Sequence, residues 1–180
     1  MSETRFWSLL DQARGGADPT GRSASPAHLR SVLTRLSTED VESFDLRYGR
    51  ELGALDRWSI WDAGFAVADG MSDDGFEYFR SWLIGKGEVV TRQASTDPDG
   101  LVRYLAAADA SKDDFDNEDL EYVADDVLEH RLGDDRADDF DDRAMLPGED
   151  DPSGRHLPES AIDAHYPQLA AWAEAHTAAQ

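Results

Sequence analysis

The chain has 180 residues, no cysteine and a formal net charge of −22, because 39 acidic residues oppose 17 Lys and Arg. This length suits one domain with a sizeable core and an appended segment. The lack of cysteine excludes disulfides, thiol catalysis and zinc–thiolate sites. Hydrophobic residues make up 40% of the chain, a little low for a fully packed protein, so we expect part of it to stay unpacked.

The acidic charge is concentrated in one part of the chain. Between Asp109 and Asp151 there are 19 acidic and 4 basic residues. Such a run repels phosphates, so the sequence predicts no direct nucleic-acid binding. A basic protein partner is one interpretation of the acidity. A genomic coding bias or adaptation to a high-salt cytoplasm is the other, and it fits the 15 Arg against 2 Lys and the 27 Asp against 12 Glu.

Apolar residues at spacings of three and four predict four helices in the first part of the chain, over residues 4–13, 25–36, 37–52 and 57–69. Ser25, followed by Pro26, and Ser37 are start signals, and Gly70 is the stop signal of the fourth helix. In that fourth helix we expect one face to carry the large apolar side chains Trp58, Trp61, Phe65 and Ala68.

Residues 72–87 read as a further capped helix. Ser72 is a good N-cap, and Asp73 and Asp74 follow at the positive end of the helix dipole. Gly85 and Gly87 supply stop positions. The inward face is predicted to carry Phe76, Phe79, Trp82 and Leu83.

The same stretch carries the pattern Asp-Asp-Gly-Phe-x-x-Phe-Arg-x-Trp-Leu-Ile-x-x-Gly over residues 73–87. This resembles the hallmark of the domain-of-unknown-function 4240 family of bacterial proteins. Three further pieces agree with the family in order and spacing: Phe6-Trp7, Trp61-Asp62-Ala63, and Asp97-Pro98-Asp99 followed by Leu101. The resemblance covers residues 6–105. It implies a mostly helical domain and brings no catalytic residues with it.

Further helices are predicted in the second half of the chain. We favour a helical turn over a short strand at residues 88–91, then a turn or helix start at 97–100 and a helix over 101–108. Asn117 is expected to cap a helix to Leu132, with Gly133 as its stop. A last helix over 158–175 should break or kink at Pro167. The predicted architecture is therefore all-α: a helical domain over 1–133, an acidic mobile linker over 134–154, and a C-terminal helix within 155–180 that packs back.

Catalytic and ligand signatures are missing from the sequence. There is no Walker loop, no Gly-x-Gly-x-x-Gly and no Gly-x-Ser-x-Gly, and the five histidines have no metal-ligand spacing. The acidic run fails as an EF-hand because Asp119 and Asp125 stand where glycine and glutamate are needed. We therefore expect no catalytic residue, no metal and no cofactor. With no apolar signal core and no spanning run, we also expect a cytoplasmic protein that does not bind membranes.

The aromatic and acidic cluster is the remaining candidate site. Its predicted binding residues are Trp61, Asp73, Asp74, Glu77, Arg80 and Trp82. We expect Arg80 to lie in an inner ion network with at least one of Asp62, Asp69, Asp73 or Glu77, because the neighbouring rings must point inward.

Two functions of different classes fit this cluster. The first is a small acidic binding protein without catalysis, whose partner is a basic protein. The alternative is a carboxylate-based enzyme, with or without a metal, that uses the edge formed by Asp73, Asp74 and Glu77. A cleft in which Asp73, Asp74 and Arg80 converge would favour the enzyme. An open acidic surface with these residues in ion pairs would favour the binding protein.

Overall fold

The computed structural model describes residues 1–16, 18, 20–105, 115, 117–133 and 151–177, and within them it contains helices, turns and loops but no strand. A 3-10 helix, Pro98–Tyr104, follows the sixth α-helix. In chain order the described α-helices are α1 (Glu3–Arg14), α2 (Pro26–Leu33), α3 (Thr38–Ala54), α4 (Trp58–Ala68), α5 (Asp73–Gly85), α6 (Glu88–Thr96), α7 (Glu118–Glu121), α8 (Val123–Leu132), α9 (Glu159–His165) and α10 (Pro167–Thr177). The all-α prediction is confirmed.

Serine side chains start three of these helices, as predicted. The hydroxyl of Ser25 accepts from the amide of the third residue of α2, and Ser37 and Ser72 do the same for α3 and α5. Each hydroxyl satisfies an amide that has no partner inside its helix, which fixes where the helix begins.

Helix α5 lies at the centre of the fold, where it packs against α3, α4, α6 and α7. Near its C-terminal end Trp82, Leu83 and Ile84 are at most 1% exposed. Phe79 stacks on Trp82 with ring centroids 5.7 Å apart. The apolar face predicted for this helix is confirmed, and it joins the core shared by the surrounding helices.

The face predicted for α4 makes only part of its contact with the core: Trp61, Phe65 and Ala68 pack against the core but are half-buried. Ile60, Ala63 and Val67 are buried, whereas the expected inward residues Trp58 and Phe65 are only half-buried. Because α4 is apolar on nearly every side, spacings of three and four fit more than one face. The helix also packs against α9 and α10, so it needs apolar residues on a second side. It ends at Ala68, and the left-handed residue that stops it is Asp69, with φ 54°, rather than Gly70.

Gly85 is helical and does not stop α5, contrary to the prediction, whereas Gly87 has φ +93° as expected. The reason for glycine at position 85 is close packing. A Cβ there would lie 2.1 Å from Ser23 Oγ and 3.0 Å from Leu120 Cδ2. Gly85 therefore lets α5 approach both the loop before α2 and α7.

Several helix ends differ from the sequence prediction. Helix α2 ends at Leu33 instead of residue 36. Asn117 does not cap α7, because its side-chain amide donates to Ser23 Oγ and Ala24 O, and the expected single helix is interrupted at Tyr122. The chain after Asp97 forms the 3-10 helix, and the predicted helix end at residues 106–108 lies outside the described residues.

Two other predictions are confirmed. Residues 88–91 are helical, as the start of α6, and the last helical region divides at Pro167 into α9 and α10. Ile162, Tyr166 and Leu169 from this region are buried in the common core. The mobile linker remains a prediction, since residues 134–150 lie outside the described residues.

Replacing Gly85 by alanine should lower the free energy of unfolding by about 1–3 kcal/mol, since the added methyl group enters a filled contact. Gly53, which is exposed in the last turn of α3, provides the matched control. Gly53→Ala should be neutral or stabilising by up to about 1 kcal/mol. Urea unfolding of both variants measures the difference, and equal effects would contradict the packing role of Gly85.

Candidate functional site

The structure does not bring the six predicted binding residues to one surface. Asp73 and Asp74 are exposed in the first turn of α5, and Trp82 is buried in the core. Trp61 is half-buried and packs against the ring of Phe76, with centroids 5.0 Å apart. Only Glu77 and Arg80 come together with other polar groups in a partly buried setting.

Arg80 forms an ion pair, but with a different partner from the four predicted. Its Nη1 lies 3.5 Å from Asp56 Oδ1, in the turn after α3, and 3.4 Å from the carbonyl oxygen of Leu52. Its guanidinium carbon stands 4.7 Å from the centroid of the Phe76 ring. The prediction that its stem packs beside aromatic rings therefore holds, while the choice of carboxylate was wrong. Asp56 belongs to another element, and the local spacing on α5 gives no sign of it.

Beside Arg80 lies a hydrogen-bonded chain formed by Tyr48, Ser81 and Glu121. Together with the charges of Glu77 and Arg80, which act on Glu121, we call it the carboxylate cluster. The hydroxyl of Tyr48 donates to Ser81 Oγ over 3.1 Å, and the hydroxyl of Ser81 donates to Glu121 Oε2 over 3.3 Å. Three helices, α3, α5 and α7, contribute to it. Ser81 and Tyr48 are buried, so these bonds satisfy hydroxyls that water cannot reach.

The cluster holds a carboxyl group that titrates near neutral pH. Burial raises the pKa of Glu121 to about 7, and the negative charge of Glu77 adds to this, while the Ser81 hydroxyl and the Arg80 charge act in the opposite direction. Burial also raises the pKa of Tyr48, which stays a neutral donor. The arrangement can therefore take up and release one proton near pH 7, the property expected of a general acid or base.

Sequence reasoning missed Tyr48, Ser81 and Glu121 as a group. One signal was present: Ser81 stands inside the apolar run of α5, where a buried hydroxyl needs a partner. Its partners are 33 and 40 residues away in the chain, so the spacing on α5 could not identify them.

A second feature is a groove of about 830 Å³ between the end of α4 and the helices α9 and α10, which we call the acidic groove. Apolar residues such as Phe65 and Ala170 form its floor, and four carboxylates stand around it: Asp69, Glu159, Asp163 and Glu174. These four side chains belong to exposed residues, and none of the described residues that line the groove is basic. In the part of the chain that the structure describes, none of the four takes part in an ion pair.

The carboxylate-based enzyme was expected to have a cleft in which Asp73, Asp74 and Arg80 converge. Asp73 and Asp74 remain in the exposed first turn of α5, while Arg80 pairs with Asp56, so the three do not converge in a cleft. Among the described residues, no group of three or more His, Asp or Glu side chains is placed to hold a metal ion. None of the described helices is long and apolar enough to cross a bilayer.

Comparison with known proteins gives a family and no closer relative. The family described as "Protein of unknown function (DUF4240)" matches residues 1–130, which extends the stretch identified from motifs at both ends. No curated protein and no solved structure matches the chain. Helices α9 and α10, and with them most of the acidic groove, lie beyond the matched residues.

Replacing Glu121 by glutamine should stabilise the protein at pH 8 by about 1–2 kcal/mol. This free energy is smaller than the full pKa shift would give, because solvent screens a partly exposed group. The folded state holds the Glu121 proton up to about pH 7, while the ordinary glutamate pKa is 4.5. Ionisation of Glu121 therefore lowers stability as the pH rises through this window, and glutamine removes that cost.

Urea unfolding at pH 4 and pH 8 measures the effect, which should be small at pH 4, where Glu121 is protonated in both states. Glu129→Gln, at an exposed position of α8, is the matched control and should leave the pH dependence unchanged. A Glu121→Gln effect of the same size at both pH values would contradict the pKa of about 7.

Arg80→Ala should lower the free energy of unfolding by about 1–2 kcal/mol, through lost packing on Phe76 and a lost hydrogen bond to Leu52. The effect is smaller than for a fully buried pair, because the side chains of Arg80 and Asp56 are 16% and 27% exposed. Arg103→Ala removes an exposed pair at 3.8 Å and should change stability by less than about 0.5 kcal/mol. Thermal unfolding that ranks the two variants equally would contradict the inner position of Arg80.

Proposed function

Since the chain belongs to this family, whose description names no activity, we propose from the groove itself that the protein binds a basic protein segment without catalysis. The single observation behind the proposal is the acidic groove. It combines an apolar floor with four carboxylates, and no basic residue is among the lining residues that the structure describes. A segment that presents both apolar and cationic side chains would complement it in shape and charge.

The charges of the groove favour a cationic occupant. Carboxylates close together repel one another, and a cation placed among them relieves that repulsion. Some carboxylates elsewhere in the described chain have a basic partner, for example Asp40 with Arg5 and Glu51 with Arg47. The groove carboxylates, by contrast, stay available for a partner.

The size and lining of the groove favour a short helical or extended segment. A volume of about 830 Å³ accommodates a few side chains rather than a domain. Small residues, Ala170 and Ala171, leave the surface of α10 shallow, so that a partner backbone can approach closely. The proposed partner is thus a basic protein segment. The proposal also holds that the protein itself binds neither nucleic acid nor membranes directly and that it is located in the cytoplasm.

The test uses a labelled synthetic 12-residue helix with Arg and Leu on one face, titrated into the full chain by fluorescence anisotropy at about 0.1 M salt. Asp163→Asn combined with Glu174→Gln should weaken binding by about tenfold, because two partly screened ion pairs are lost. Asp73→Asn combined with Asp74→Asn changes the net charge equally but lies outside the groove, so affinity should change less than about twofold.

Equal weakening by the two double variants would show that the peptide responds only to net charge and would exclude the groove as its site. Binding of the same peptide with its Arg residues replaced by Glu would exclude the charge complementarity on which the proposal rests. Raising the salt to about 0.5 M should weaken the specific binding further, because exposed charges are screened.

A further inference from the structure

The carboxylate of Asp62 is fully buried, and it accepts hydrogen bonds from residues outside the family-matched region. Asp62 stands on α4 with 0% exposure. The ring nitrogen Nδ1 of His156 lies 2.8 Å from Asp62 Oδ1, and the amide of Leu157 donates to Asp62 Oδ2 over 3.1 Å. A buried carboxylate without hydrogen bonds is costly, so this position requires a donor on the outer side of α4.

The segment that supplies these donors, residues 153–157, is bound as an extended peptide. Ser153 forms a parallel β-bridge with Arg57. Its amide donates to Asp56 O over 3.0 Å, and its carbonyl accepts from the amide of Trp58 over 3.0 Å. The imidazole of His156 lies against the Trp58 indole, with ring centroids 4.2 Å apart and an interplanar angle of 30°.

Each element of this contact has a counterpart in peptide recognition. The backbone before α4 pairs with the backbone of the segment, a carboxylate accepts from one amide of the segment, and an indole covers one side chain. The contacts of Asp62 and Trp58 select an aromatic donor, and a protonated imidazole strengthens both of them. The recognising residues Asp56, Trp58 and Asp62 all lie inside the family-matched region, and the bound segment lies outside it.

Most of the bound segment lies at the surface, and Leu157 at its end packs against the hydrophobic core. Ser153, Gly154 and Arg155 are exposed, and the side chain of His156 is 42% exposed. The C-terminal region is anchored further along the chain, where Ile162, Tyr166 and Leu169 are buried in the core. Local detachment of residues 153–157 has to break the Asp62 hydrogen bonds and the core contact of Leu157, while Ile162 and Leu169 hold α9 and α10 in place.

We propose that the surface formed by Asp56, Trp58 and Asp62 is a docking site for an extended, histidine-bearing peptide, which this chain fills with its own residues 153–157 and a partner peptide fills when that segment detaches. The site shares no lining residue with the acidic groove, so it extends the binding function to a second surface. In the free protein the tethered segment competes with any partner, since tethering gives it a high effective concentration.

The experiment titrates a synthetic peptide of residues 151–158, with blocked ends, into the full chain and follows binding by nuclear magnetic resonance of the tryptophan indole signals. The receiving protein is the release variant Ser153→Pro with His156→Ala, which removes the amide at 153 and the imidazole while leaving the docking residues intact. The release variant should bind the peptide at least about tenfold more tightly than the unaltered chain, with the shift centred on the Trp58 indole.

Two altered peptides test the contacts without changing the protein. One replaces the histidine by alanine, and the other carries a methyl group on the backbone nitrogen of the leucine, which removes the donor to Asp62. Each should bind the release variant at least about fivefold more weakly than the parent peptide. His156→Ala alone removes a partly exposed side chain and serves as the receiving protein if the double variant does not fold.

Three results would overturn the proposal: no binding to either release variant, equal binding to the unaltered chain, or equal binding of the parent and altered peptides. The proposed function is tested separately, because its groove variants leave this docking site unchanged. Loss of groove binding with intact peptide docking, or the reverse, would separate the two surfaces.

Discussion

Burial of α5 is the constraint on which the remaining structure depends. Its rings and aliphatic side chains face four other helices, so each of those helices must present a complementary apolar face. Phe79 and Trp82 stack on each other and both contact Phe115, which places a residue from well beyond α6 in the same aromatic group. The large area buried by such rings stabilises the assembly more than any single polar contact in it.

Lys86, the residue directly after α5, holds two other segments of the chain against the end of this helix. The ammonium group of Lys86 is fully buried, and it donates to the carbonyl oxygens of Gly21 and Tyr104 over 2.7 and 2.8 Å. It also lies 5.2 Å from the centroid of the Trp82 ring. A buried ammonium requires such acceptors, so the loop before α2 and the end of the 3-10 helix must both reach it. Lys86 thereby ties two distant loops to the central helix.

Several features that depend on neighbouring residues were predicted correctly from the sequence, whereas contacts between residues far apart in the chain were not. The serine caps and the apolar face of α5 follow from neighbours three and four residues away, and the structure confirms them. The inward face of α4 could not be chosen, because an almost wholly apolar helix offers several equivalent stripes. The pairing of Arg80 with Asp56, the contact of Ser81 with Glu121 and that of Asp62 with His156 all depend on how helices meet, which spacing within one helix does not encode.

The position of the acidic residues adds information that composition does not contain. A coding bias or a high-salt adaptation raises the number of carboxylates but does not decide where they stand relative to arginines. In the described chain several arginines connect helices through ion pairs: Arg5 joins α1 to α3, and Arg30 joins α2 to α8. In the acidic groove, by contrast, four carboxylates surround an apolar floor, and its described lining residues include no base. It also lies outside the most acidic run, Asp109 to Asp151. Four carboxylates around one concave apolar surface form an arrangement that a cationic partner would complete.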